Sequence, residues 1–446
     1  MDDTIVALST AQSEGAISII RISGEDAIKI VNPLFDNKDL EKVNSHTINY
    51  GHIIYDDEII DEVLLSIMKA PKTYTKEDII EINTHGSIAV VNKIIEILLL
   101  SGCRLAEPGE FTKRAFLNGR IDLTEAEGIY DLINSDTETS RKIAINELSG
   151  KVSKLITDLR SKIVALISNI EVNIDYPEYE DIQVVTIEKI KEEITIIKKQ
   201  LLDILKLSED GKLLKEGIKT VILGKPNVGK SSLLNALLEE EKAIVTNIKG
   251  TTRDIVEGSI LVGGIKLNLI DTAGVRKSSD VVEKLGIEKS INLIDEADLI
   301  LLVLDSSEKL SEEDKFLLEK TKDKKRIVIM NKIDLEKNND YNNETIKVSI
   351  KEDIGIKEVK ENIKNLFNVN ELLSNKTYFT NARQIALIKS AISSLEDVEN
   401  GVEENREVDM IEIDLKLVWE KLGDIIGANY KEELIDDLFS RFCLGK

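Results

Sequence analysis

Gly224-Lys225-Pro226-Asn227-Val228-Gly229-Lys230-Ser231 has the spacing of a loop that cradles phosphates. Consecutive backbone N–H groups and a helix N-terminus would hold the anion, Lys230 would supply a point charge, and the Ser231 hydroxyl would ligate Mg²⁺. Asp271-Thr272-Ala273-Gly274 follows, placing the Asp271 carboxylate near the metal and the Gly274 amide near a γ-phosphate. In Asn331-Lys332-Ile333-Asp334 the last carboxylate can accept both the ring N–H and the exocyclic amine of guanine. Adenine would leave it unpaired, a mismatch such sites reject strongly. Ser349, Ile350 and Lys351 stand where a final loop would close over the base. The set implies GTP rather than ATP. Val275 occupies the position where Ras-like proteins carry a water-orienting glutamine, so the catalytic group must come from elsewhere; Arg276 and Glu283 are the nearby charged candidates.

These residues need a scaffold of strands that end in loops. Apolar runs at 220–223, 267–270, 299–304 and 327–330 alternate with helical segments and predict a doubly wound, largely parallel α/β domain over 214–377. Before it, residues 1–120 mix short β-rich runs starting at Thr4, Ala16 and Asp78 with an apolar helix near 87–100, an α+β pattern. Leu148, Val152, Leu155, Leu159, Ile163, Leu166 and Ile170 then recur at helical spacing, and Ile187, Ile190, Ile194, Ile197, Leu201 and Ile204 repeat it after Asp175-Tyr176-Pro177. Two long packed helices are predicted there. The helical period returns at Ile385, Ile388, Ile392 and Leu395, and again from Ile411 to Ile425. The expected architecture is multidomain: an α+β domain (1–120), an all-α domain built from 121–213 and 378–446, and a Ras-like α/β P-loop domain (214–377) inserted between its halves.

The chain has 446 residues, 59 Lys plus Arg against 82 Asp plus Glu, and a net charge of −23. That balance argues against gripping nucleic acid with the bulk surface. The acidic start Met1-Asp2-Asp3 and the lack of a long apolar run predict a cytoplasmic protein with no membrane span. Two cysteines, Cys103 and Cys443, exclude a disulfide framework and a four-cysteine zinc site. Cys443 reads as a packing residue, His85 as a satisfied turn histidine and Trp419 as core.

Together with Ile19-Ile20-Arg21-Ile22-Ser23-Gly24, the run 104–119, Gly250-Thr251-Thr252-Arg253-Asp254, Asp271–Arg276 and the terminal Cys443-Leu444-Gly445-Lys446, the chain resembles the bacterial tRNA modification GTPase family called MnmE or TrmE along essentially its whole length. The resemblance implies a K⁺ ion beside the phosphates, held by Asn227, Thr246, Ile248 and Thr251, that offsets charge developing in the transition state. It implies that Thr252 joins Ser231 on Mg²⁺ and that Glu283 orients the water-activating network beside Arg276 and Lys230. Further GTP contacts would come from Val228, Gly229, Ser232, Asn247, Lys249, Gly250, Thr272 and Ala273. Activity would be coupled to dimerisation of the GTPase domains.

The same resemblance makes the N-terminal domain a site for 5-formyl- or methylene-tetrahydrofolate, with Arg21, Glu81, Arg120 and Lys446 as its residues. It further implies a homodimer through that domain, and a heterotetramer with an FAD-dependent tRNA uridine modification subunit (MnmG or GidA). Together they would install an aminomethyl or carboxymethylaminomethyl group at C5 of the wobble uridine, with tRNA held mainly by the partner. A ribosome-assembly GTPase of the Era or Der type is the rival reading; it would be expected to carry a basic RNA-binding module, which is absent. A GTP-dependent scaffold without folate chemistry is the second rival.

Overall fold

A computed structural model describes residues 3–175, 187–239, 258–270, 292–339, 341, 343–374, 377–404, 406–429, 432–442 and 444–445. The strands are β1 (Ile5–Leu8), β2 (Gly15–Ser23), β3 (Thr47–Tyr55), β4 (Glu58–Met68), β5 (Ile79–Gly86), β6 (Arg104–Leu105), β7 (Ile218–Leu223), β8 (Gly258–Val262), β9 (Ile265–Leu269), β10 (Leu299–Asp305), β11 (Arg326–Asn331) and β12 (Ile346–Lys347). The helices are α1 (Ala27–Val31), α2 (Ile88–Leu100), α3 (Glu110–Leu117), α4 (Leu123–Ile133), α5 (Glu138–Glu147), α6 (Lys151–Asp175), α7 (Ile187–Glu216), α8 (Lys230–Glu239), α9 (Glu312–Lys320), α10 (Ile356–Leu366), α11 (Val369–Leu372), α12 (Ala382–Glu403), α13 (Val408–Ile426) and α14 (Glu432–Ser440). The chain groups into two compact units, 1–130 with 420–446, and 131–419. The second helical stretch expected over 378–446 is thus divided at Trp419, its end grouping with the N-terminal residues.

In the first unit a six-stranded sheet runs β3-β4-β5-β2-β1-β6, antiparallel except for the β1–β6 pair. Alternation decides its faces: Ile20, Ile22, Leu65, Ile67, Ile80 and Ile82 turn inward beneath α1 and α2, each contributing about 1.5–3 kcal/mol by burial. Arg21 and Glu81, paired directly across β2 and β5, face the other way. The signature run 104–119 is largely structural. Arg114, 1% exposed, donates to Glu110 (3.0 Å), to Glu77 (3.2 Å) and to the Asp3 carboxylate (2.7 Å), while Arg104 binds Glu110 from the rim. Gly109, at φ +71°, lets α3 meet the chain end; a Cβ there would lie 2.4 Å from the Phe439 carbonyl oxygen. Phe116, Phe439 and Phe442 close that contact.

In the second unit the sheet order is β12-β11-β10-β7-β9-β8, parallel but for the β8–β9 hairpin. All seven residues of β10 are buried, as expected of a strand covered on both faces. The stripe of α7 is buried as predicted at Ile190, Ile194, Ile197 and Leu201, but its main partner is α12 rather than α6, with Lys198 pairing Glu396 and Glu399 along the edge. The α6 stripe begins at Val152; Leu148 caps α5, which ends at Glu147, so the first residue of the predicted run belongs to a turn.

Glu147, 1% exposed, accepts from the backbone N–H of Thr380 at 3.1 Å and from the Thr380 hydroxyl. Asp131 stands beside it, bonded to Lys215 near the end of α7. Burial, with the Asp131 charge adding to it, pushes the Glu147 carboxyl up to about 8. The core prediction for Trp419 gives way to a half-buried ring that offers its face to the Arg160 guanidinium, 4.1 Å from its centroid, a cation–π contact in place of full apolar burial. His85 sits at the end of β5, not in a turn, with Nδ1 2.7 Å from Asp61, whose carboxylate raises the imidazole pKa. Cys103 is a buried core thiol pushed up to about 12 by desolvation. Among the described residues no helix is long and apolar enough to cross a membrane.

Candidate functional site

The phosphate-loop residues lie between β7 and α8, at the carboxyl edge of the parallel sheet, where open α/β folds bind their ligands. Gly224 (φ +140°), Asn227 (φ +63°) and Gly229 (φ +104°) turn the backbone so that it closes around a space. At Gly224 a Cβ would meet the Val303 carbonyl oxygen at 2.3 Å, so the first glycine is required by the packing of β10. Lys230 opens α8, and its Nζ donates to the carbonyls of Gly224 and Lys225 (2.8 Å to the latter). Burial holds its ammonium below the ordinary lysine range, a cost an incoming phosphate would offset. Ser231 and Ser232 follow exposed on the first turn, and Asn227 is exposed on the loop.

The segment 331–334, expected from its sequence to read the base, begins at the end of β11 on the same edge. Asn331 turns inward, donating its Nδ2 to the Val228 carbonyl at 2.8 Å and accepting from the Ile350 N–H at 3.4 Å. One buried amide thereby joins the phosphate loop, the segment 331–334 and the segment 349–351. Asp334 is exposed and accepts from the Ser349 hydroxyl at 2.7 Å. Lys332, with φ +62°, reaches back to Asp305 at the end of β10, 2.6 Å away. Lys351 is exposed on the turn that follows. The structure therefore brings together Asn227, Val228, Gly229, Lys230, Ser231, Asn331, Lys332, Asp334, Ser349 and Ile350. Thr246 to Thr252, Asp271 to Arg276 and Glu283 lie outside the described residues.

The second predicted cluster assembles in the other unit. Arg21 binds Glu81 through Nε and NH2, both at 2.8 Å, and donates from NH1 to the Gly445 carbonyl at 3.2 Å. Ser9 donates to the same carbonyl, so the chain end is held against β1 and β2. Lys446 itself, like Cys443, lies outside the described residues. Tyr74 carries two guanidinium groups near its ring, Arg120 at 4.7 Å and Arg21 at 5.7 Å, and Phe111 faces Arg21 at 5.6 Å. The result is an aromatic and cationic floor beside one carboxylate. Such a set fits a pterin, whose flat ring stacks and whose donors suit Glu81, and an anionic tail, which suits the arginines.

Sequence reasoning missed Tyr74, Phe111, Asp305 and the backbone role of Gly445. Tyr74 sits in a loop with no motif, Phe111 falls within the run 104–119 but nothing in that run marks it as lining a site, and Asp305 ends an apolar run that reads simply as a buried strand.

Comparison with known proteins covers the whole chain. A family model described as "MnmE helical domain" matches residues 123–443, and one described as "GTP-binding protein TrmE N-terminus" matches residues 4–120. The chain is 50% identical to the tRNA modification GTPase MnmE of Streptococcus thermophilus (strain CNRZ 1066), covering 100% of this chain and 98% of that protein. It is likewise 50% identical to the protein of the same name from Ligilactobacillus salivarius (strain UCC118), again over 100% and 98%. Among solved structures, the G domain of the T. maritima FeoB iron transporter matches at 30% identity over 33% of this chain and 98% of its own, with a TM-score of 0.24. With half its residues shared end to end and both family models satisfied, the chain belongs to the MnmE family of tRNA modification GTPases.

Proposed function

We propose that this enzyme hydrolyses GTP, with Mg²⁺ and K⁺, as the GTPase subunit of a complex that modifies the wobble uridine of tRNA. The observation that carries the GTP part is the Asn331 amide on the Val228 carbonyl, because it brings a phosphate cradle and an Asp-terminated base loop to one sheet edge. Lys230 meets the β- and γ-phosphates, Ser231 and Thr252 ligate Mg²⁺, and Asp271 lies behind the metal. Asp334 takes the guanine donors. Asn227, Thr246, Ile248 and Thr251 hold K⁺, and Glu283 with Arg276 supports the attacking water in place of the glutamine that Val275 lacks.

The one-carbon part rests on the Arg21–Glu81 pair with Arg120, Tyr74 and the chain end beside it. In this reading residues 1–120 bind a tetrahydrofolate derivative and dimerise, 121–213 with 378–446 form the helical frame, and 214–377 form the GTPase domain. A flavin-dependent partner supplies the redox step and most of the grip on tRNA, and the complex works in the cytoplasm.

Turnover in KCl against NaCl at equal ionic strength tests the ion; equal rates would remove K⁺ from the scheme. Calorimetry with 5-formyl-tetrahydrofolate tests the other site. Absence of binding to the unmodified chain would end the one-carbon reading while leaving the GTPase untouched. Mass spectrometry of wobble nucleosides from a deletion strain tests the pathway, with loss of the C5 substituent expected.

A further inference from the structure

Lys332 has a partner that the phosphate and base motifs do not call for. Its side chain is 33% exposed, whereas Asp305, which holds its Nζ at 2.6 Å, is 3% exposed. The acid is immobilised from several sides. Its Oδ1 accepts from the Ser307 N–H (2.8 Å) and hydroxyl (2.6 Å), and its carbonyl accepts from Asn339 Nδ2 at 2.7 Å. The neighbouring strand end is tied in the same way, since Ser306 N–H donates to the Asn331 carbonyl at 2.9 Å. Burial alone would raise the Asp305 carboxyl, but the Lys332 ammonium and the Ser307 donors outweigh it, so the group stays ionised. Asp334 lies two residues beyond Lys332, exposed, and among the described residues its Oδ1 accepts from the neutral Ser349 hydroxyl.

We propose that Asp305 is a specificity-determining positioning residue: by anchoring the Lys332 ammonium at the end of β10, it keeps that cation off Asp334 and so preserves the Asp334 carboxylate for the donors of guanine. The physical reason is competition. An ammonium on a flexible four-carbon stem, two residues from an exposed carboxylate, pairs with it when no better partner is present, and a paired carboxylate has less to gain from a neutral N–H. A fixed, buried acid is the better partner, because its own donors have already oriented it. This inference rests on the reading of 331–334 as the guanine-recognition segment.

The test compares dissociation constants for GDP and for inosine diphosphate, which lacks the exocyclic amine, in the full chain. Asp305→Asn should weaken GDP about tenfold and compress the GDP-to-IDP preference, because the released Lys332 occupies Asp334. Adding Lys332→Met to that variant should restore the preference, since no cation then competes. Lys332→Met alone should keep the unmodified preference even as overall affinity falls, and this arm stands if Asp305→Asn fails to fold. A preference unchanged in folded Asp305→Asn, or compressed in Lys332→Met, would overturn the proposal while leaving the guanine reading intact. If the unmodified chain binds GDP no better than ADP, the guanine reading falls and this inference with it.

Discussion

Gly229 shows how tightly single positions are specified. Its φ of +104° is strained for any side chain, and a Cβ would lie 2.3 Å from Asn331 Nδ2, the atom that joins the base segment to the phosphate loop. Gly229→Ala should weaken GDP binding by about 1–3 kcal/mol, as fluorescence titration would register; an unchanged constant would mean the loop relaxes freely. Glu283→Ala should keep GTP affinity and lose most turnover, and a parallel loss of affinity would make it a structural residue. The motif residues were legible because phosphate and guanine chemistry dictate both residue type and spacing. Asp305, Tyr74 and Phe111 were not, because nothing local in the sequence says which neighbour a strand-end acid or a loop aromatic will meet.

At the level of elements, two buried ionic groups hold segments together and respond differently to change. Arg114 ties α3 to Glu77 and Asp3, so Arg114→Met leaves the largely buried Glu77 without its cation and the buried Glu110 with Arg104 alone. Denaturant unfolding should report a loss of about 3–5 kcal/mol, against a far smaller loss for Arg104→Met at the rim. Glu147 joins α5 to the segment entering α12, with Lys215 and Asp131 alongside. Its carboxyl lies at about 8 in the folded chain against an ordinary 4.5, so the folded state binds this proton more tightly. The stability this gives is present at low pH, declines as pH rises from 4.5 towards about 8, and is gone above. Glu147→Gln should therefore melt with a flatter pH dependence across that window; parallel melting curves would show that Glu147 does not carry the proton. Helical periodicity foretold α7 and α12 but not their pairing, since an apolar stripe specifies that a face is buried and not against what.

For the whole molecule, charge distribution sets the expectation. Residues 214–377 carry a net −2 and the rest of the chain −21, a balance that argues against gripping nucleic acid with the bulk surface. Filter binding of tRNA to the isolated chain should be weak and shallow in its salt dependence, becoming tight only with the proposed flavin-dependent partner present; tight, steeply salt-dependent binding by the chain alone would move the tRNA grip onto this chain. The sequence by itself determined the nucleotide chemistry, the strand and helix periods and the family, because each is encoded in short-range spacing. Only the tertiary structure decided that the chain end at Gly445 closes on Arg21, that α7 pairs with α12 and that Asp305 anchors Lys332. Those contacts join residues far apart along the chain, and they depend on which surfaces the packed core leaves facing one another, which no local pattern records.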